Sequence, residues 1–127
     1  MVAKLFLGAS ALIWLPYGLF CFASPGFLAD AAGVGALSAT GTTELRAMYG
    51  GLQAAIGAMA LAALLRPALV APALWMLGAL ATGLASARLI GAALDGAWTS
   101  YTFGGLAFEI PTLAVAWALL RPHGRGQ

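Results

Sequence analysis

Four long apolar stretches, separated by short polar clusters, run along the chain from about Leu5 to Ala23, Glu44 to Leu65, Ala73 to Leu94 and Thr102 to Leu120. Each holds about 19 to 22 residues, near the roughly 20 that an α-helix needs to cross the hydrocarbon of a bilayer. The runs are continuous, not alternating, and rich in Ala and Leu, so they predict helices. Arg66-Pro67 ends the second run, with a tight turn from Pro67 to Pro72, and Asp95-Gly96 marks a turn after the third. Thr42 or Thr43 caps the second run. Ser24-Pro25 reads as the start of a short helix over residues 26–32, stopped by Gly33, with Phe27 and Leu28 at the membrane interface and Asp30 toward water. The first run reads as a retained span, not a cleaved signal peptide, because Cys21-Phe22-Ala23 is a poor cleavage site.

Composition agrees. The 127 residues are 62% hydrophobic, with six basic and four acidic side chains, and the mean hydropathy is +0.94. Ten charges cannot cover a soluble globule of this size, for which about a quarter of residues would be charged. In lipid the backbone must satisfy its own hydrogen bonds, which again selects helices. The expected fold is all-α: an integral membrane protein, a single domain of four transmembrane helices in an antiparallel up-down bundle. Lys4, Arg66, Arg121 and Arg125 fall on one side of that arrangement, Asp30 and Asp95 on the other. The positive-inside rule then puts both termini in the cytoplasm. Trp98 and Tyr101 take the opposite interface. Frequent Ala and Gly, with Arg outnumbering Lys, suit a GC-rich bacterium and its inner membrane.

Small residues recur every fourth position in two runs: Gly50, Ala54, Ala58 and Ala62, and Ala79, Gly83, Ala87 and Gly91. Lipid gives helices no hydrophobic drive to associate, so such rows are expected to form helix seams. Pro16 and Pro111 are expected to kink their helices.

The charges inside the apolar runs carry the candidate chemistry. Arg88 lies about 9 Å below the end of the third helix, and Glu109 about 10 Å inside the fourth, at 1.5 Å per residue. Equal depth on consecutive helices predicts a salt bridge between them. Arg46, near the start of the second helix, is followed by Tyr49 at i+3 and Gln53 at i+7 on one face. Together Arg46, Tyr49, Gln53, Arg88 and Glu109 predict a ligand-binding polar pocket in the outer half of the membrane, with a local excess of positive charge for an anionic or quinone-like head group. The bland alternative is an ion-pair network that fixes helix register. Glu44 points away from Arg46 and belongs to the helix N-terminus.

Other chemistries find no footing. Cys21 is the single cysteine and His123, in the polar tail, the single histidine, so no metal site, no cofactor and no Ser–His–Asp set is expected. Gly104-Gly105 lacks the lysine of a phosphate loop. A net charge of +2 does not call for nucleic acid.

The block Thr43-Glu44-Leu45-Arg46-Ala47-Met48-Tyr49-Gly50-Gly51-Leu52-Gln53, with Tyr17-Gly18, residues 25–30, residues 87–91, Asp95-Gly96 and Phe108-Glu109, resembles the bacterial membrane family named domain of unknown function 4345. The resemblance spans about residues 5 to 120. It implies four transmembrane helices in a small bacterial protein, and no activity. Three functions stay open. One is a protein that binds or helps to move a small amphiphilic, lipid-like or quinone-like ligand. A second is a structural subunit of a membrane complex or homo-oligomer. The third is a metal-free isomerase-type enzyme, with Glu109 or Glu44 shuttling a proton and Tyr49 or an arginine steadying an oxyanion.

Overall fold

The computed structural model describes residues 1–121; His123 and Arg125 lie outside the described residues. Every regular element among them is helical. In order they are α1 (Val2–Ala23), α2 (Phe27–Ala32), α3 (Ala39–Leu45), a π-helical segment (Arg46–Gly51), α4 (Leu52–Leu65), a 3-10 turn (Pro67–Leu69), α5 (Val70–Asp95) and α6 (Ser100–Leu120). Four continuous helical stretches are long and apolar enough to cross a membrane: Val2–Ala23, Ala39–Leu65, Pro67–Asp95 and Ser100–Leu120. At about 1.5 Å per residue, the shortest, of 21 residues, reaches across the roughly 30 Å hydrocarbon core. This is the fold of a multi-pass membrane protein.

Several boundaries differ from the expected ones. The second span begins five residues early because Ser38, not Thr42 or Thr43, is the N-cap, its hydroxyl accepting from the Gly41 amide at 3.1 Å. The two threonines are inside the helix, and their hydroxyls donate back to the carbonyls of Ser38 and Ala39. Pro72 lies within α5, not in a turn. It stands at the third helical position, where a backbone N–H would have no intrahelical partner. Ser24 closes α1 and does not cap α2 by its side chain. Leu28 is fully buried and does not face the interface; Phe27 and Asp30 are exposed. Gly33 ends α2 at φ 69° and Gly96 turns the chain after α5 at φ 65°, where a side chain would be strained.

The chain divides into two compact units, residues 1–70 and 71–127. In the first, α1 and α4 pack antiparallel with their backbones in close approach. A Cβ on Gly57 would stand 2.3 Å from the Leu15 nitrogen, and one on Gly18 would stand 2.3 Å from the Ala54 nitrogen. A Cβ on Gly50 would meet Phe22 at 2.7 Å. The seam on this helix is therefore Gly50, Ala54 and Gly57, not Gly50, Ala54, Ala58 and Ala62; Ala58 is exposed. Helix geometry gives the reason. Four residues turn the helix by about 400°, so a strict four-residue row drifts about 40° per step, and the step of three to Gly57 brings the row back.

In the second unit α5 and α6 form an antiparallel hairpin. Gly78 lets the Trp117 ring lie against α5, its would-be Cβ 3.0 Å from the ring. Trp117 Nε1 donates to the Thr82 hydroxyl at 3.1 Å, and that hydroxyl donates to the Gly78 carbonyl. Trp75 meets Trp117 edge-on at 4.7 Å. The buried face of α5 carries Leu74, Leu77, Ala81, Ala85 and Ala92. Ala79, Gly83 and Ala87, the expected seam, are exposed, and a Cβ at Gly83 or Gly91 would meet nothing within 4 Å among the described residues.

Candidate functional site

Arg88 and Glu109 meet across the α5–α6 hairpin. The Arg88 Nη2 lies 2.6 Å from Glu109 Oε1, and Nε donates to both carboxylate oxygens at 3.0 and 3.1 Å. Charge-assisted bonds in this two-donor arrangement are among the strongest that side chains form. They also place the guanidinium plane, which a lysine would not. The carboxylate side chain is 4% exposed and the arginine 25%.

One face of α6 is shaped for this guanidinium. Tyr101, Gly105 and Glu109 follow one another at four-residue spacing. The Arg88 Cζ stands 5.7 Å from the Tyr101 ring centroid, within cation–π reach. A Cβ on Gly105 would fall 2.5 Å from Arg88 Cζ and Nε. Glycine at 105 is thus the space that the guanidinium fills. Neither Tyr101 nor Gly105 was expected at the site, although their spacing from Glu109 is visible in the sequence. Pro111 lies within α6 one turn after Ala107, and the Thr112 hydroxyl donates to the Phe108 carbonyl at 2.7 Å.

Arg46, Tyr49 and Gln53 belong to the first unit, Arg88 and Glu109 to the second. Arg46 is engaged with α1: its Nε donates to the Phe22 carbonyl at 3.0 Å, and its Cζ lies 6.0 Å from the Phe22 ring centroid. Phe22 is in the last turn of α1, where carbonyls lack an intrahelical donor. A cation there also meets the negative end of the helix dipole. Arg46 opens the π-helical segment, which also carries Tyr49 and the buried Gly50. Gln53 follows in α4, and its Oε1 is buried with no hydrogen-bond partner among the described residues. Glu44 is exposed in α3 and forms no ion pair among the described residues. Nothing in the composition of Arg-Ala-Met-Tyr-Gly-Gly announces a π-helix. Such segments are rare and concentrate at functional sites.

Comparison with known proteins gives a family and no activity. No curated protein and no solved structure matches the chain. The family described as Domain of unknown function (DUF4345) matches residues 2–120. That range takes in all four spans, the π-helical segment and the Arg88–Glu109 pair. The chain belongs to this family, DUF4345.

Proposed function

We propose that this protein binds the carbonyl-bearing head of a small amphiphile, of quinone or related type, at the Arg88–Glu109 pair inside the membrane. The observation that carries the reading is the unequal exposure of the pair, 4% for Glu109 and 25% for Arg88. The pair is neutral as a whole and shows its cationic end. A neutral site with a fixed positive edge suits an uncharged acceptor such as a carbonyl oxygen. An anion would need a cation beyond the one that Glu109 already neutralises. Most small-molecule sites combine an apolar wall with a few polar groups that fix orientation. The apolar helix faces and the Arg88 edge supply both parts.

The reading extends to location. Lys4, Arg66 and Arg121 against Asp30 and Asp95 support an orientation with both termini in the cytoplasm, and the frequent Ala and Gly with Arg over Lys suit a bacterial inner membrane. The pair then lies in the outer half of the bilayer.

The test is native mass spectrometry of the protein released from gentle detergent, beside the Arg88→Leu/Glu109→Leu variant, which removes both charges together. A discrete neutral adduct on the wild type, lost from the folded variant, supports the proposal and gives the mass of the ligand. An equal adduct on both places the ligand elsewhere.

A second reading, a structural subunit or homo-oligomer, has its own support. The exposed row of Ala79, Gly83 and Ala87 on α5 is the kind of surface along which membrane helices approach closely.

A further inference from the structure

The two arginines differ in how their charge is met. Glu109 neutralises Arg88, whereas Arg46 forms no ion pair among the described residues. Its one hydrogen bond among these residues uses Nε, toward Phe22. The terminal amino groups bond to nothing described, and the side chain is exposed. The Nε bond and the Phe22 ring hold the guanidinium in place at the C-terminal end of α1. That end is where a span of 22 residues leaves the hydrocarbon. Phe20, Phe22 and Phe27 are exposed at the same end, with Phe20 and Phe27 in edge contact at 5.1 Å. A fixed, unneutralised fork of N–H donors therefore stands at the membrane edge beside exposed aromatic rings.

We propose that Arg46 is a phospholipid site, its terminal amino groups binding the phosphodiester of a bilayer lipid while the acyl chains lie along Phe20, Phe22 and Phe27. The chemistry is the planar two-donor recognition of phosphate that arginine provides and lysine does not. The partial negative charge at the end of α1 meets Arg46 on one side, and the phosphate meets it on the other. This site is separate from the ligand proposed for Arg88, both in residues and in the charge of what it binds.

Titration of the delipidated protein with phosphatidylglycerol, read by native mass spectrometry, tests the site. The comparison set is the wild type, Arg46→Leu, Arg46→Lys and, as a control for general electrostatics, Arg66→Leu. One lipid is expected to bind tightly to the wild type and to Arg66→Leu. Arg46→Leu should weaken it about tenfold and Arg46→Lys several-fold, since the lysine keeps the charge and a donor for Phe22 but not the fork. Should Arg46→Leu fail to fold, Arg46→Lys decides alone. Equal lipid occupancy in the wild type and the lysine variant overturns the proposal. So does displacement of the lipid by inorganic phosphate at comparable concentration, which would mean a phosphate site without a lipid requirement. A wild type that binds the lipid but carries no quinone-type adduct would leave this inference standing and remove the one at Arg88.

Discussion

Arg88 and Glu109 share three hydrogen bonds across the α5–α6 hairpin, the shortest 2.6 Å, while the carboxylate side chain is almost wholly buried. An unpaired charge within a membrane span costs about 3 kcal/mol on insertion scales, and breaking a buried pair costs a similar amount. Each partner is thus needed chiefly because the other is present. Arg88→Leu and Glu109→Leu are each expected to lower stability by about 3 kcal/mol. The double leucine variant should lose clearly less than the sum. Denaturation in mixed detergent micelles measures the cycle; additive losses would show that the two charges do not depend on each other.

Gly105 is expected to act through Arg88. An alanine there puts a methyl where the guanidinium lies, so the guanidinium must shift and its bonds to Glu109 are strained. Gly105→Ala should cost about 1–2 kcal/mol, in the range of overpacked sites. In the Arg88→Leu/Glu109→Leu background the same substitution should cost almost nothing. A cost that persists there would mean that Gly105 serves the backbone of α6 and not the ion pair.

The close approach of α1 and α4 gives a sharp contrast between glycines. Gly18→Val and Gly57→Val collide with backbone atoms that cannot step aside, so each is expected to cost about 3 kcal/mol. Gly83→Val, where the space is open, should stay within about 0.5 kcal/mol. Thermal denaturation in detergent ranks them. A large loss for Gly83→Val as well would mean that this row of α5 is covered by a partner, which is the structural-subunit reading.

Orientation is testable with single cysteines. In a Cys21→Ala background, Asp30→Cys and Asp95→Cys should react with a membrane-impermeant maleimide from outside intact cells, and Arg66→Cys only after lysis. The reverse pattern would invert the protein and move the Arg88–Glu109 pair to the inner half of the bilayer.

How much of this was readable in advance depended on which atoms carried the contact. Arg88 and Glu109 were legible because both partners are side chains and counting residues from helix ends sets their depth. Gly33, Asp95-Gly96 and Pro67 punctuate the chain through backbone rules that act locally. The partner of Arg46 was not legible, because a main-chain carbonyl at the end of α1 has no letter of its own in the sequence. The seam of α4 was half legible: Gly50 and Ala54 are in it, but a strict four-residue count drifts off the face and misses Gly57. The start of the second span, after Ser38 and not after Thr42 or Thr43, was not legible because serine and threonine both cap helices, and residue type alone does not choose among the three. Only the hydrogen bond to the Gly41 amide distinguishes them. The π-helical segment left no sign in residue type at all.

The most direct test of the central claim is a calorimetric titration of the detergent-solubilised protein with a decyl-substituted benzoquinone. The wild type and the folded Arg88→Leu/Glu109→Leu variant are measured side by side. Saturable one-to-one binding by the wild type, weakened at least about tenfold in the variant, is the predicted result. No saturable binding by the wild type, or equal binding by both proteins, would contradict a carbonyl-binding site at the Arg88–Glu109 pair.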